Sequence, residues 1–373
     1  MSSLNEPPAG DRPPSDKPAS ERSVYERALV DPPAQVVRDG EFMLGCFSGP
    51  VADVNVMDVD HPYHYPVPRL VKEFRCKEWR AFQLGDRRWF FFSALYEAKS
   101  FGLAIFSAWD RERQKAYEIR RMVPFGAFGI GPVLDGSTSG FRTPNEAISY
   151  RFDLSGGTMT VEASSRKSRT GPGFAGAFTL ACGPRQAAMS SVCLPLGLNR
   201  AMYSLKAMMP MQGWFEAEGQ RFEFDQAGSI GVLDDHKGFY PYRMRYDWVT
   251  GFGMDAKGRR VGFNLTDNQV RDQESYNENV LWINSRVLPL PPVKVTRPQG
   301  VDGVWHVQDT RGLVDLAFRP ERKNRIAVNM IVLASDYDGP YGSFEGVLRS
   351  ADGGEKVDAS QLYGMGEKKY LRA

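Results

Sequence analysis

The strongest constraint on this chain is an alternation of period two that turn residues interrupt at short intervals. Ile148, Tyr150, Phe152 and Leu154 alternate with other residues, Gly156-Gly157 follows, and Met159, Val161 and Ala163 alternate again. Successive side chains of a strand point to opposite faces, so such a run buries one face and leaves the other for solvent. Two runs joined by Gly-Gly read as an antiparallel hairpin. Similar hairpins are expected where Gln83-Leu84-Gly85-Asp86 separates residues 79–82 from 88–95, and around Glu218-Gly219 within residues 214–224. Another is expected at residues 255–258, between 248–254 and 261–265. Trp89-Phe90-Phe91-Phe92 is apolar on both faces, which suits a strand covered on both sides. Helical periodicity is weak, and even the ambiguous window at residues 199–209 is read as strand.

Many short strands and a length of 373 residues point to an all-β chain with two β-barrels or sandwiches in series. Residues 36–196 are assigned to the first barrel and residues 197–373 to the second, with the division near Pro195. Pro289, Pro291 and Pro292 mark an edge strand or a bend. Gly213-Trp214-Phe215-Glu216 and Gly342-Ser343-Phe344-Glu345 echo each other and are read as hairpins that close one barrel. Residues 1–22 are dense in Pro, Ser and charge, cannot bury enough apolar area to offset ordering, and are expected to be disordered.

Composition excludes several function classes. The 47 basic and 45 acidic residues nearly balance, which argues against a nucleic-acid partner. The N-terminus lacks an apolar signal segment and no run is long enough to span a bilayer, so no integral membrane segment is expected and the cytoplasm is the default compartment. Cys46, Cys76, Cys182 and Cys193 are widely spaced and are read as reduced core residues. His61 and His64 lie among prolines without a third ligand, so no metal is expected. The glycine-rich residues 126–131 lack a following helix and a Lys-Ser/Thr, and are read as a turn or bulge. There is no G-x-S-x-G elbow, and no cofactor is expected.

Residues 228–253, GSIGVLDDHKGFYPYRMRYDWVTGFG, hold the candidate site. A carboxylic acid in an apolar, aromatic cavity has its pKa raised, because desolvation disfavours the charged form. It can then protonate a double bond or an oxygen near neutral pH. Asp235 is assigned as the general acid, with His236 orienting it or relaying the proton and Asp234 tuning the charge. Tyr240, Tyr246 and Trp248 would offer ring faces to a developing cation. Asp235 and His236 reach one cavity only if the segment turns, for which Gly238 is suited; otherwise the group is a charged β-corner. Asn264, Asp267, Asn268, Glu278, Asn279 and Asn284 surround Trp282, either as turn residues or as a polar patch at the bottom of a cavity. Asn264, Trp282 and Trp305 complete the expected ligand-binding set.

Asp235-His236-Lys237-Gly238, followed by Asp247-Trp248 and the turn at 255–258, resembles the D-H-x-x-G…W-D-W-type signature of the AttH, carotenoid 1,2-hydratase and tocopherol cyclase group. The glycine here is one residue closer, and the usual tryptophan before it is replaced. Leu362-Tyr363-Gly364-Met365-Gly366-Glu367 resembles that group's closing G-x-G-x-x-E element. From about Val36 onward the chain is most similar to the bacterial DUF2804 family, whose function is unknown. Trp305…Asp309…Gly312…Asp315-Leu316…Phe318…Pro320 and Asp336-Tyr337…Gly339-Pro340-Tyr341-Gly342 carry that similarity. The resemblance implies two consecutive lipocalin-like antiparallel β-barrels. The wider group handles hydrophobic terpenoid or lipid molecules, by acid-catalysed hydration or cyclisation or by binding alone. Two classes therefore stay open. One is a cofactor-free enzyme that hydrates, cyclises or isomerises an isoprenoid- or lipid-like ligand. The other is a non-catalytic carrier of such a ligand, or a structural protein.

Overall fold

The computed structural model describes residues 25–372 except 64, 125, 168–170 and 330–333, and leaves the side chains of 326–329, 334, 335 and 371 undescribed. The expected disordered tail at 1–22 and His64 of the histidine pair lie outside the described residues.

The chain is all-β: two antiparallel sheets in tandem, each strongly curled into a half-barrel. The first has thirteen strands. Its main path starts at Lys115–Val123 and passes through Gly102–Asp110, Trp89–Glu97 and Cys76–Gly85 to Ile230–Phe239 and Arg200–Ala217. It continues through Phe174–Ala181, Thr158–Ser165 and Glu146–Asp153 to Thr138–Arg142. The second sheet has twelve strands. Its path runs from Arg286–Pro289 through Val280–Ile283, Arg260–Asp267, Arg243–Met254 and Tyr363–Arg372. Tyr341–Arg349, Val314–Arg322 and Trp305–Gln308 follow, and Lys294–Thr296 ends it.

Local signals account for several of these pairings. Gly157 turns with φ 76°, and Thr158 pairs with Asp153 across the hairpin. Glu218 and Gly219 both have positive φ between the paired Ala217 and Gln220, as a two-residue hairpin turn of the right twist requires. Pro289 ends the strand at one edge of the second sheet, and the strand starting at Lys294 forms the other edge. Residues 290–293, with Pro291 and Pro292, thus carry the chain from edge to edge where proline cannot donate to a ladder.

Two expectations are corrected. Ala188–Gly197 pairs with Arg200–Ala217 as a hairpin, so the division placed at 196/197 falls at the end of a strand inside the first sheet. That sheet also takes in Gln220–Phe224 and Ile230–Phe239, and the chain changes sheet between Phe239 and Arg243. Residues 234–238 therefore lie on a central strand of the first sheet, between Arg200–Ala217 and Cys76–Gly85. A turn signal does not say whether the next strand stays in the same sheet, because long-range pairing decides that. The echoing segments at Gly213 and Gly342 likewise belong to different sheets and close no common barrel.

The apolar residues form three layers. Phe82, Phe91, Phe106, Phe178 and Phe215 fill the hollow of the first sheet. Val249, Phe263, Trp305, Phe318 and Phe344 fill that of the second. Between the sheets, Phe90, Phe92, Ile230 and Val232 meet Trp248, Phe252, Trp282 and Tyr341. This explains the doubly apolar Trp89-Phe90-Phe91-Phe92 run: Phe91 points into the first hollow, and Phe90 and Phe92 point at the second sheet. Each such ring contributes about 1.5–3 kcal/mol by its burial. All four cysteines are buried and free. No helix among the described residues is long and apolar enough to cross a membrane.

Candidate functional site

The layer between the sheets opens into a cavity of about 120 Å³ at one end. Small side chains help leave it open. Ala81 and Ala94 sit opposite each other on adjacent strands, and both line it. Trp79, Phe92, Tyr96 and Ile105 add aromatic and aliphatic wall from the first sheet, and Met244, Tyr246 and Trp248 from the second.

Strand alternation gives this cavity a charged floor. On Ile230–Phe239, Asp234 and His236 line the cavity. The neighbouring strand sets Ser204 opposite His236 and Lys206 opposite Asp234. Asp234 Oδ1 lies 2.6 Å from His236 Nε2 and 2.8 Å from Lys206 Nζ. Lys206 Nζ is 2.9 Å from His236 Nε2 and 3.6 Å from Glu278 Oε2. Ser204 Oγ donates to Glu278 Oε2 at 2.8 Å, and Thr266 Oγ1 to Glu278 Oε1 at 2.7 Å. Trp79 stacks on the imidazole of His236, 4.2 Å between centroids and 17° between planes.

Electrostatics divide the cavity's acids into two kinds. Burial pushes Asp234 up, but His236 and Lys206 outweigh it and hold the carboxyl well below the usual carboxylate range. Burial likewise raises Glu278, and Lys206 and His236 bring it below its ordinary value. Burial lowers Lys206, yet Asp234 and Glu278 leave it above the ordinary lysine value. These three groups are charged. Glu367, across the cavity, is different: burial raises it, and the opposing effects of Lys369 and Tyr337 do not cancel the rise. Tyr246 donates to Glu367 Oε2 at 3.0 Å and Tyr337 to Oε1 at 2.6 Å.

Of the residues assigned from the sequence, Asp234, His236, Tyr240, Tyr246 and Trp248 line the cavity. Asp235 does not. The segment is a regular strand without the turn that would bring Asp235 and His236 together, so Asp235 faces the hollow of the first sheet. Arg80 Nε donates to Asp235 Oδ1 at 3.0 Å there, and Ser139 holds Arg80 Nη1 at 2.7 Å. Asp235 is thus half of a buried ion pair, its carboxyl raised by burial against the pull of Arg80, and it stands outside the cavity where the general-acid assignment placed it. Asn264 stands behind the wall: it accepts from Trp248 Nε1 at 2.7 Å and donates to the Glu278 carbonyl at 3.0 Å. Trp282 fills the layer between the sheets, and Trp305 fills the second hollow, where its Nε1 donates to the Val301 carbonyl. Neither lines the cavity. Glu278 and Asn268 of the carboxamide-rich run do.

Lys206, Tyr337, Glu367 and Lys369 carry no site role in the sequence reading. For Glu367 and Lys369 a signal existed: positions 363, 365, 367 and 369 share one face of a strand. Nothing local shows which face meets the cavity.

A family model described as a domain of unknown function, DUF2804, matches residues 26–372. No curated protein matches the chain. Among solved structures, kievitone hydratase from Nectria haematococca is similar over 89% of this chain and 99% of its own, at 10% identity and a TM-score of 0.48. CghA is similar over 80% of this chain and 88% of its own, at 11% identity and a TM-score of 0.47. CghA with Sch210972 gives 10% identity over the same shares and a TM-score of 0.45.

Proposed function

The chain belongs to the DUF2804 family, and we propose that its inter-sheet cavity binds a hydrophobic small molecule, isoprenoid- or lipid-like, and acts on it by acid catalysis. The observation that carries this reading is Glu367: a carboxyl raised by burial, facing an aromatic-walled cavity, with a tyrosine hydroxyl on each oxygen. A carboxyl raised in this way keeps its proton to higher pH than an ordinary glutamate and can hand it to a ligand in the cavity. In this reading Glu367 protonates a double bond or an oxygen of the ligand. Tyr246 and Tyr337 then stabilise the carboxylate that results. The cation formed on the ligand meets the aromatic wall of the cavity and the negative field of Asp234 and Glu278. It is discharged by loss of a proton to the Glu367 carboxylate, or by addition of water that gives up its proton there. Asp234 acts through its charge and not as the acid, and His236 and Tyr240 belong to the wall.

Organic extraction of the purified protein, read by mass spectrometry, would identify the ligand. Glu367→Gln is expected to lower turnover of that compound by about 100-fold or more while leaving its affinity within a few fold. Unchanged turnover in this variant would end the acid assignment. A ligand that binds and is never transformed would leave a carrier. An empty extract, together with failure to bind the apolar fluorophore N-phenyl-1-naphthylamine, would remove the ligand site altogether.

A further inference from the structure

The cavity holds two lysines, and they are in opposite situations. Lys206 is neutralised, with Asp234 at 2.8 Å and Glu278 at 3.6 Å. Lys369 also lines the cavity, yet among the described residues its Nζ has neither a hydrogen-bond acceptor nor a carboxylate within 4.0 Å. Aromatic rings surround it instead: its Nζ is 4.8 Å from the centroid of Tyr96, 5.5 Å from Trp79, 5.8 Å from Tyr337 and 5.9 Å from Tyr246. Glu367, two residues earlier on the same strand face, spends both oxygens on tyrosine hydroxyls. The ring faces can hold an ammonium, but no described carboxylate touches Nζ to fix its charge, and Nζ lies in the cavity wall within reach of a bound ligand.

We propose that Lys369 is a carbonyl-reactive amine and that the cavity's ligand is an apolar aldehyde or ketone, held as an imine on Nζ. This rests on the cavity being the ligand site, as argued above, and names the class of ligand. Burial pushes the Lys369 ammonium below its ordinary value, with the fields of Glu367 and Asp234 opposing it, so the nucleophilic amine is more accessible than in an exposed lysine. In the reaction the Nζ lone pair attacks the carbonyl carbon and the C–N bond forms. A proton passes from nitrogen to oxygen to give a carbinolamine. Glu367 protonates the hydroxyl, which departs as water while the C=N bond forms, and the remaining Nζ proton returns to Glu367. Amine and carbonyl become imine and water, and no oxidant or metal is needed.

The test uses nonanal with sodium cyanoborohydride on the full-length protein near neutral pH. The added hydride reduces the imine carbon and fixes a nonyl group on nitrogen, which peptide mass spectrometry locates. Labelling of Lys369 is expected to exceed that of the exposed Lys257 and Lys356 by about tenfold or more, because the cavity holds the apolar aldehyde against Nζ. Excess N-phenyl-1-naphthylamine should suppress it. Lys369→Met should abolish the adduct and still bind that fluorophore, and Lys369→Arg serves if the methionine variant does not fold. Labelling at Lys369 no faster than at Lys257, or directed to Lys206 instead, in protein that binds the fluorophore, would overturn the imine and leave the binding reading intact. Loss of fluorophore binding by the wild type would overturn both.

Discussion

Asp234 and Asp235 are separated by one peptide bond and by the thickness of a sheet. Asp235 shares a buried pair with Arg80 whose side chains are 10% and 2% exposed. Removing one partner of such a pair leaves an uncompensated buried charge, so Asp235→Asn is expected to cost about 3–5 kcal/mol in urea unfolding. The folded fraction should still bind N-phenyl-1-naphthylamine as the wild type does. A loss of binding at unchanged stability would return Asp235 to the site. The cavity's carboxyls also set a pH dependence with two signs. Asp234 and Glu278 are depressed below ordinary values of 3.8 and 4.5, so the unfolded state binds their protons first and stability falls as pH drops through that range. Glu367 is raised above 4.5, so the folded state keeps its proton longer and stability falls as pH rises above 4.5 through the raised value. Asp234→Asn should flatten the acid limb of a plot of urea midpoint against pH, and Glu367→Gln should flatten the limb above it. An unchanged acid limb in Asp234→Asn would contradict the ion-pair assignment.

At the scale of elements, the strand Arg200–Ala217 joins the two parts of the first sheet. Its first half pairs with Ala188–Gly197 and Ile230–Phe239, and its second half with Phe174–Ala181 and Gln220–Phe224. Gly213 lies in that second half, with φ 148° and a position where a Cβ would stand 2.1 Å from the Ala177 carbonyl oxygen. Gly213→Ala is therefore expected to cost more than about 1 kcal/mol, seen as a fall in Tm. Gly258 also has positive φ but nothing within 4 Å of an added Cβ, so Gly258→Asn should be nearly neutral. Equal effects at the two positions would show that the close approach of strands at Gly213 is not what matters. The short helix Arg69–Arg75 buries none of its residues: Leu70, Val71 and Phe74 share one face of it and all three are exposed, so their spacing marks no core element.

The whole molecule depends on a layer that belongs to neither sheet alone. Phe90 contacts Phe252, Tyr341 and Tyr363 of the second sheet, with ring centroids 6.1, 4.9 and 5.4 Å away. Phe90→Ala should cost about 3–5 kcal/mol. Because the layer ties the sheets together, fluorescence and circular dichroism should still report one shared transition; a split into two would mean that each half-barrel unfolds by itself. Much of this architecture is legible in the chain. Alternation marks Ile148 to Ala163 as a hairpin, the Trp89-Phe90-Phe91-Phe92 run as covered on both sides, and the prolines around 290 as a sheet edge, because each signal acts within a few residues. Period two also dictates that Asp234 and His236 share a face that Asp235 does not, provided the segment is a strand. What only tertiary structure decided is where those faces look. Long-range pairing drew residues 200–239 into the first sheet and turned Asp235 toward Arg80. It also brought Glu367 and Lys369, more than a hundred residues later, into the cavity that Trp79 and His236 line. A strand's sequence determines which side chains lie together, whereas the element that pairs beside it or packs across from it determines what they meet.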